Sequence, residues 1–121
     1  MEYYDFSVHR GETFRESIYF KNEDGTPIDL TGREGFAQIR AFPKTFPSDP
    51  VQTVCEMTVT IDEPEDGKVV LVIPAYETWE LSADKYAYDF CLKNGEEIRY
   101  YLGGSFTVLP SVTEVEDDRN S

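Results

Sequence analysis

Lys85-Tyr86-Ala87-Tyr88-Asp89-Phe90-Cys91-Leu92-Lys93-Asn94-Gly95 reads as an extended strand running into a turn. Tyr86, Tyr88, Phe90 and Leu92 fall on one face and Ala87, Asp89, Cys91 and Lys93 on the other, a period of two that no helix shares. The same period recurs along the chain. Phe6 and Val8 alternate near the start; Phe14, Glu16, Ile18 and Phe20 oppose Arg15, Ser17 and Tyr19; Gly35, Ala37, Ile39 and Ala41 oppose Phe36, Gln38, Arg40 and Phe42. Residues 51–61 give a further strand, Val69, Leu71 and Ile73 line one side of another, and Ile98–Leu102 and Ser105–Leu109 complete the set. Asp24-Gly25 and Asn94-Gly95 suit hairpin turns, because glycine adopts positive φ without steric cost. Asp66-Gly67 ends an acidic turn, and all seven prolines fall at or beyond strand ends, where no ladder hydrogen bond is lost. Only Ala75-Tyr76-Glu77-Thr78-Trp79-Glu80-Leu81 has the look of a helical turn.

Strand signals every eight to twelve residues with short turns predict an all-β sandwich of about seven or eight antiparallel strands, with one short helical turn near residues 75–81. At 121 residues the chain is sized for one domain. It divides into a folded part, residues 1–113, and an acidic C-terminal tail, residues 114–121. No internal repeat or linker interrupts it.

The charge narrows the function classes. Asp and Glu number 24 against 11 Lys and Arg, a net −13. Affinity for phosphate backbones and anionic lipid surfaces rests on Lys and Arg, so neither nucleic acid nor membrane is expected as a partner. Eight Phe, eight Tyr and one Trp are far more aromatic content than a disordered acidic chain carries. The longest apolar run, Val69–Ile73, is too short for a membrane span. No export signal is visible at the start. Cys55 and Cys91 lack zinc-site spacing; a disulfide would need facing strands, and without an export signal two thiols in or near the core are expected.

Candidate chemistry is thin. His9 is the sole histidine, and no nucleophile motif surrounds either cysteine, so a Cys–His pair is not expected. Asp62-Glu63-Pro64-Glu65-Asp66-Gly67 lacks the ligand alternation of a calcium loop and reads as a solvated turn. Carboxylate pairs are unavoidable with so many acids, and Gly103-Gly104 is an isolated pair rather than a phosphate loop. The expectation is no enzyme, no cofactor and no metal. Trp79 and the tyrosines offer either a sugar-stacking platform or, for Trp79, a cap over one end of the sandwich. Asp84 and Tyr88, with Phe90 two residues later, resemble the tyrosine corner of immunoglobulin-type sandwiches, with Tyr86 competing for the role.

Read in order, several strings resemble a family of small tailed-bacteriophage and prophage proteins with an immunoglobulin-like fold. They are Arg10-Gly11-Glu12-Thr13-Phe14, Asp24-Gly25-Thr26-Pro27-Ile28-Asp29-Leu30-Thr31-Gly32, Gln38-Ile39-Arg40 and Asp66-Gly67-Lys68-Val69. Ala75–Leu81, Lys85–Phe90 and Gly104–Thr113 follow. The N-terminal domain of baseplate upper proteins is similar around the DGxPxDLTG segment. The resemblance spans residues 10 to 113 and implies assembly without catalysis. Leu30 is expected to plug one end of the sandwich, with Thr31 and Gly32 redirecting the chain, and Leu81 and the short helix to close the other. The long Pro-rich connection 42–50 and the acidic tail depart from the family's usual pattern.

The expected function is therefore a structural protein of a virion, tail or baseplate associated, made in the host cytoplasm and docking onto other virion proteins in a homo- or hetero-oligomeric assembly. Phe42, Pro43, Phe46 and Pro47 of the Pro-rich connection and Glu114, Glu116, Asp117 and Asp118 of the tail are the expected contact residues. Met1–Asp5 is a second candidate strand donor to a neighbour's sheet edge. A capsid decoration or head–tail accessory protein is the alternative, and a glycan-binding module of a host-adhesion apparatus is the alternative of another class.

Overall fold

A computed structural model describes residues 2–41 and 53–113. The elements run β1 (Glu2–Tyr3), β2 (Phe6–His9), β3 (Phe14–Tyr19), β4 (Glu34–Ala41), β5 (Thr53–Glu63) and β6 (Lys68–Ile73). They continue through α1 (Ala75–Trp79), β7 (Asp84–Asn94) and β8 (Glu97–Leu109). The chain is all-β, as the period of two dictates. The strands follow one hydrogen-bonded path, β1-β8-β7-β4-β5-β6-β3, with β2 also on β8. The path is unbroken because β5 serves two neighbours: Cys55–Met57 pair with β4, and Thr58–Thr60 with β6.

That path curls. β3 and β8 lie far apart along it, yet Phe14 of β3 meets Phe106 of β8 edge-on at 5.0 Å and Phe6 of β2 at 5.2 Å. The alternating inward residues of both halves thus share one core, in which Ile39, Val69, Leu71, Ile73, Phe90 and Phe106 are fully buried. Leu30 and Leu81 are both buried in the core. Leu30 N–H donates to the Pro64 carbonyl at 2.8 Å, which ties its loop to a 3₁₀ turn at Pro64–Asp66. Asp29 Oδ1 accepts from the Thr31 N–H and hydroxyl, at 2.9 and 2.6 Å, and this Asx turn lets the chain bend into β4.

The strand pairing differs from the expected antiparallel set in one respect. β1 and β2 run parallel to β8, with Tyr3 opposite Gly103 and Phe6 opposite Phe106. Parallel neighbours need a long crossover, and here it is the rest of the domain. The two C-terminal segments read from the sequence are a single strand of 13 residues, with Gly103-Gly104 in its middle. The hairpin joining β7 to β8 pairs Asn94 with Glu97, so its loop is Gly95-Glu96 rather than Asn94-Gly95, with Gly95 first at φ +63°. Of the two tyrosines expected to compete for a corner, Tyr86 makes the short-range bond: its hydroxyl donates to the Ser82 carbonyl at 2.7 Å, while Tyr88 reaches Tyr4.

Candidate docking surfaces

The contact residues expected from sequence, Phe42, Pro43, Phe46, Pro47, Glu114, Glu116, Asp117 and Asp118, lie outside the described residues. Their stems are described and stand at one end of the sheet. Ala41 pairs with Tyr86, Arg40 with Thr53, and Asp84 with Val108 just before the chain leaves β8 toward Thr113. The same end carries α1 and the turn after β2. There Thr78, fully buried, takes a hydrogen bond from Gly11 N–H at 3.1 Å, and its hydroxyl lies 2.8 Å from the Glu12 carbonyl. The Arg10 guanidinium sits 4.4 Å from the centre of the Trp79 ring while its Nε donates to the Trp79 carbonyl at 2.8 Å. Trp79 is half-buried, with Arg10 over its ring. His9 is exposed and faces Glu12, with its backbone N–H on Glu12 Oε1 at 2.9 Å.

Met1–Asp5 was the other candidate donor, and Glu2–Tyr3 of it pairs with this chain's own β8. Between β1 and β2 the ladder breaks at Tyr4-Asp5, and side chains replace what is lost. The Tyr88 hydroxyl donates to the Tyr4 carbonyl at 2.5 Å, and Ser105 N–H donates to Asp5 Oδ1 at 2.9 Å. That hydrogen bond from Ser105 holds the Asp5 carboxyl below the usual carboxylate range.

Because the curled sheet does not close, a seam remains between β3 and the first half of β8. It forms a groove of about 540 Å³ lined by Ile18, Tyr19, Phe20, Ile28, Tyr100 and Tyr101, with Lys21, Arg99 and Glu2 at its margins. Tyr19 and Tyr100 are both about half exposed. Phe20 and Tyr101 form its floor and pack on the core, with Phe20 stacked on Phe90 at 5.6 Å. Beside it Arg33 donates to the Tyr101 hydroxyl at 3.3 Å, and Arg99 Nε donates to Glu97 at 2.6 Å. Along β8, residues Glu97–Tyr100 pair with β7 on one side; among the described residues no strand pairs with their other side. Sequence reading missed this groove. Tyr19, Tyr100 and Tyr101 were visible as aromatics, but what unites them is the approach of two strands some eighty residues apart.

The cysteines stand on opposite faces. Cys55 pairs with buried Ile39 and packs on the core; Cys91 pairs with exposed Phe36 and Tyr100 on the outer face. Both are free thiols. Burial pushes the Cys55 thiol up to about 11 and raises that of Cys91 as well. Asp62, Glu63, Glu65 and Asp66 are exposed around the 3₁₀ turn, and Glu63 approaches Lys68 at 3.9 Å. Among the described residues no group of three or more His, Cys, Asp or Glu is placed to hold a metal ion, and no helix is long and apolar enough to cross a membrane.

The sequence matches no protein-family profile and no curated protein. Among solved structures the chain is similar to the N-terminal domain of phage TP901-1 ORF48. The two share 11% sequence identity and a TM-score of 0.43, over 87% of this chain and 82% of that one.

Proposed function

We propose that this chain is a non-enzymatic structural protein of a bacteriophage or prophage virion, tail or baseplate associated, built on an immunoglobulin-like scaffold. The carrying observation is the role of the strings that resemble the phage family. Leu30 and Leu81 are buried, Asp29 with Thr31 and Asp24 with Thr26 brace turns, and Lys85–Phe90 lies inside the sheet between β4 and β8. These residues are spent on the scaffold, which leaves sheet edges, loops and termini for contact. The immunoglobulin-like reading is supported by the order β8-β7-β4 on one side of the shared β5 and β6-β3 on the other, together with the Tyr86–Ser82 corner. Docking onto other virion proteins suits an acidic surface, since net charge of this size favours contacts that meet a locally basic groove and makes assembly sensitive to salt.

Mass spectrometry of purified particles tests the proposal. The protein should be found in intact virions and co-fractionate with tails after disruption. Its absence from particles overturns the reading; its presence in tail-less heads moves it to the capsid or head–tail alternative.

A further inference from the structure

We propose that the open edge of β8 at Glu97–Tyr100 receives the acidic segment Glu114–Asp118 of a neighbouring copy as an added strand. The inference rests on the assembly role proposed above and names its contact. An unpaired run of backbone donors and acceptors is a template for another strand. Here it borders a groove with an aromatic floor, so an incoming strand gains both a ladder and apolar contact.

Reach assigns the strand to a second copy. Leu109 stands nine strand residues beyond Tyr100, roughly 30 Å away, and Thr113 lies further on, beside Gly11 and Trp79. Five extended residues after Thr113 span about 17 Å. Glu114–Asp118 therefore cannot lie along its own Glu97–Tyr100.

Charge and alternation fit the same occupant. Two of the chain's eleven cations, Lys21 and Arg99, line the groove against one acid, Glu2, while Arg33 beside it interacts with Asp29 and Glu97. On β8, Arg99 shares the inner face with Leu92, while Tyr100 shares the outer face with Cys91 and Phe36. An extended Glu114-Val115-Glu116 alternates in the same way. Both glutamates then fall beside Arg99 and Lys21, and Val115 falls beside exposed Ile98 and Tyr100. The donor segment leaves one end of the molecule and the acceptor edge is at the other, so the contact is head-to-tail and propagates into a ring or a file of copies.

The test uses the full chain and a fluorescent synthetic peptide of residues 110–121. Peptide anisotropy should rise saturably with protein, and amide exchange at Glu97–Tyr100 should slow when peptide is added. The exposed-site double variant Lys21→Glu/Arg99→Glu should weaken binding at least fivefold while keeping the native circular dichroism spectrum. A peptide with Glu114, Glu116, Asp117 and Asp118 replaced by Gln should weaken it similarly. No binding at millimolar peptide, or binding without protection at Glu97–Tyr100, overturns the proposal. Neither result alters whether the protein is found in purified particles, so failure here and failure of the virion reading are separable.

Discussion

The hydroxyl of Tyr88, in the interior strand β7, reaches over Gly104 and donates to the carbonyl oxygen of Tyr4, 84 residues away in sequence. It closes the gap in the parallel ladder between β1 and β2. Burial, with Asp5 and Tyr4 adding to it, raises the Tyr88 hydroxyl well above the ordinary tyrosine range, so it stays protonated as a donor. Tyr88→Phe should cost about 1 kcal/mol in urea unfolding, the net worth of one such bond. It should also speed amide exchange selectively in residues 2–6.

Gly104 is where three strands crowd. A Cβ there would overlap the Tyr4 carbonyl oxygen and press on Asp5 Oδ1 at 2.9 Å, at a φ of +156°. Gly104→Ala should therefore destabilise by about 1–3 kcal/mol, the range for overpacking. Gly25→Ala meets no atom and should cost less, through its positive φ alone. Paired urea midpoints check the order.

Thr78 ties α1 to the turn after β2 through Gly11 N–H and the Glu12 carbonyl. Thr78→Val keeps the shape and removes the hydroxyl, leaving those groups without their partner, at about 1–3 kcal/mol. Thr78→Ser keeps the bonds and should lose only the smaller worth of a buried methyl, about 1 kcal/mol. If Val is tolerated as well as Ser, the hydroxyl is not what holds the turn.

Stability should fall at both pH extremes. Cys55, raised from 9.0 to about 11, and Tyr88 and Tyr86, both raised by burial, bind their protons more tightly when folded. Their contribution is complete below pH 9 and is lost as pH climbs through the folded values, from the Cys55 range of 9 to 11 upward. Asp5, Asp24 and Asp29 are lowered by hydrogen bonds from Ser105, Thr26 and Thr31. Their contribution is present above the ordinary value of 3.8 and is lost as pH falls through the lowered ones. Thermal midpoints across pH should give a plateau with both shoulders; an alkaline limb that stays flat contradicts the burial of these groups.

The thiols give a further check. Cys55 and Cys91 occupy opposite faces of the sheet, so both should titrate with a thiol reagent after unfolding. In the native protein at neutral pH, Cys55 should react at least tenfold more slowly than Cys91, because it is packed on the core while Cys91 lies on the outer face. An intramolecular disulfide in the purified protein contradicts the register of β4 with its two neighbours.

The amino-acid sequence alone determined the local matters. Period-two alternation placed the strands, because each side chain in a strand must take one face or the other. Asp–Gly and Asp-x-Thr pairs marked turns through their own hydrogen bonds, and Leu30 and Leu81, isolated between polar neighbours, marked side chains that the core buries. Tertiary structure decided whatever joins distant segments. Tyr86 and Tyr88 look alike in sequence, yet one meets Ser82 and the other Tyr4. Gly103-Gly104 reads as a break until the N-terminal segment is laid against it, when it becomes room for a crossing. The N-terminal strands run parallel to β8 only because the intervening chain carries β3 to the far end of the path. The seam groove likewise has no local signature, since its walls, β3 and the start of β8, face each other only when the whole sheet has curled.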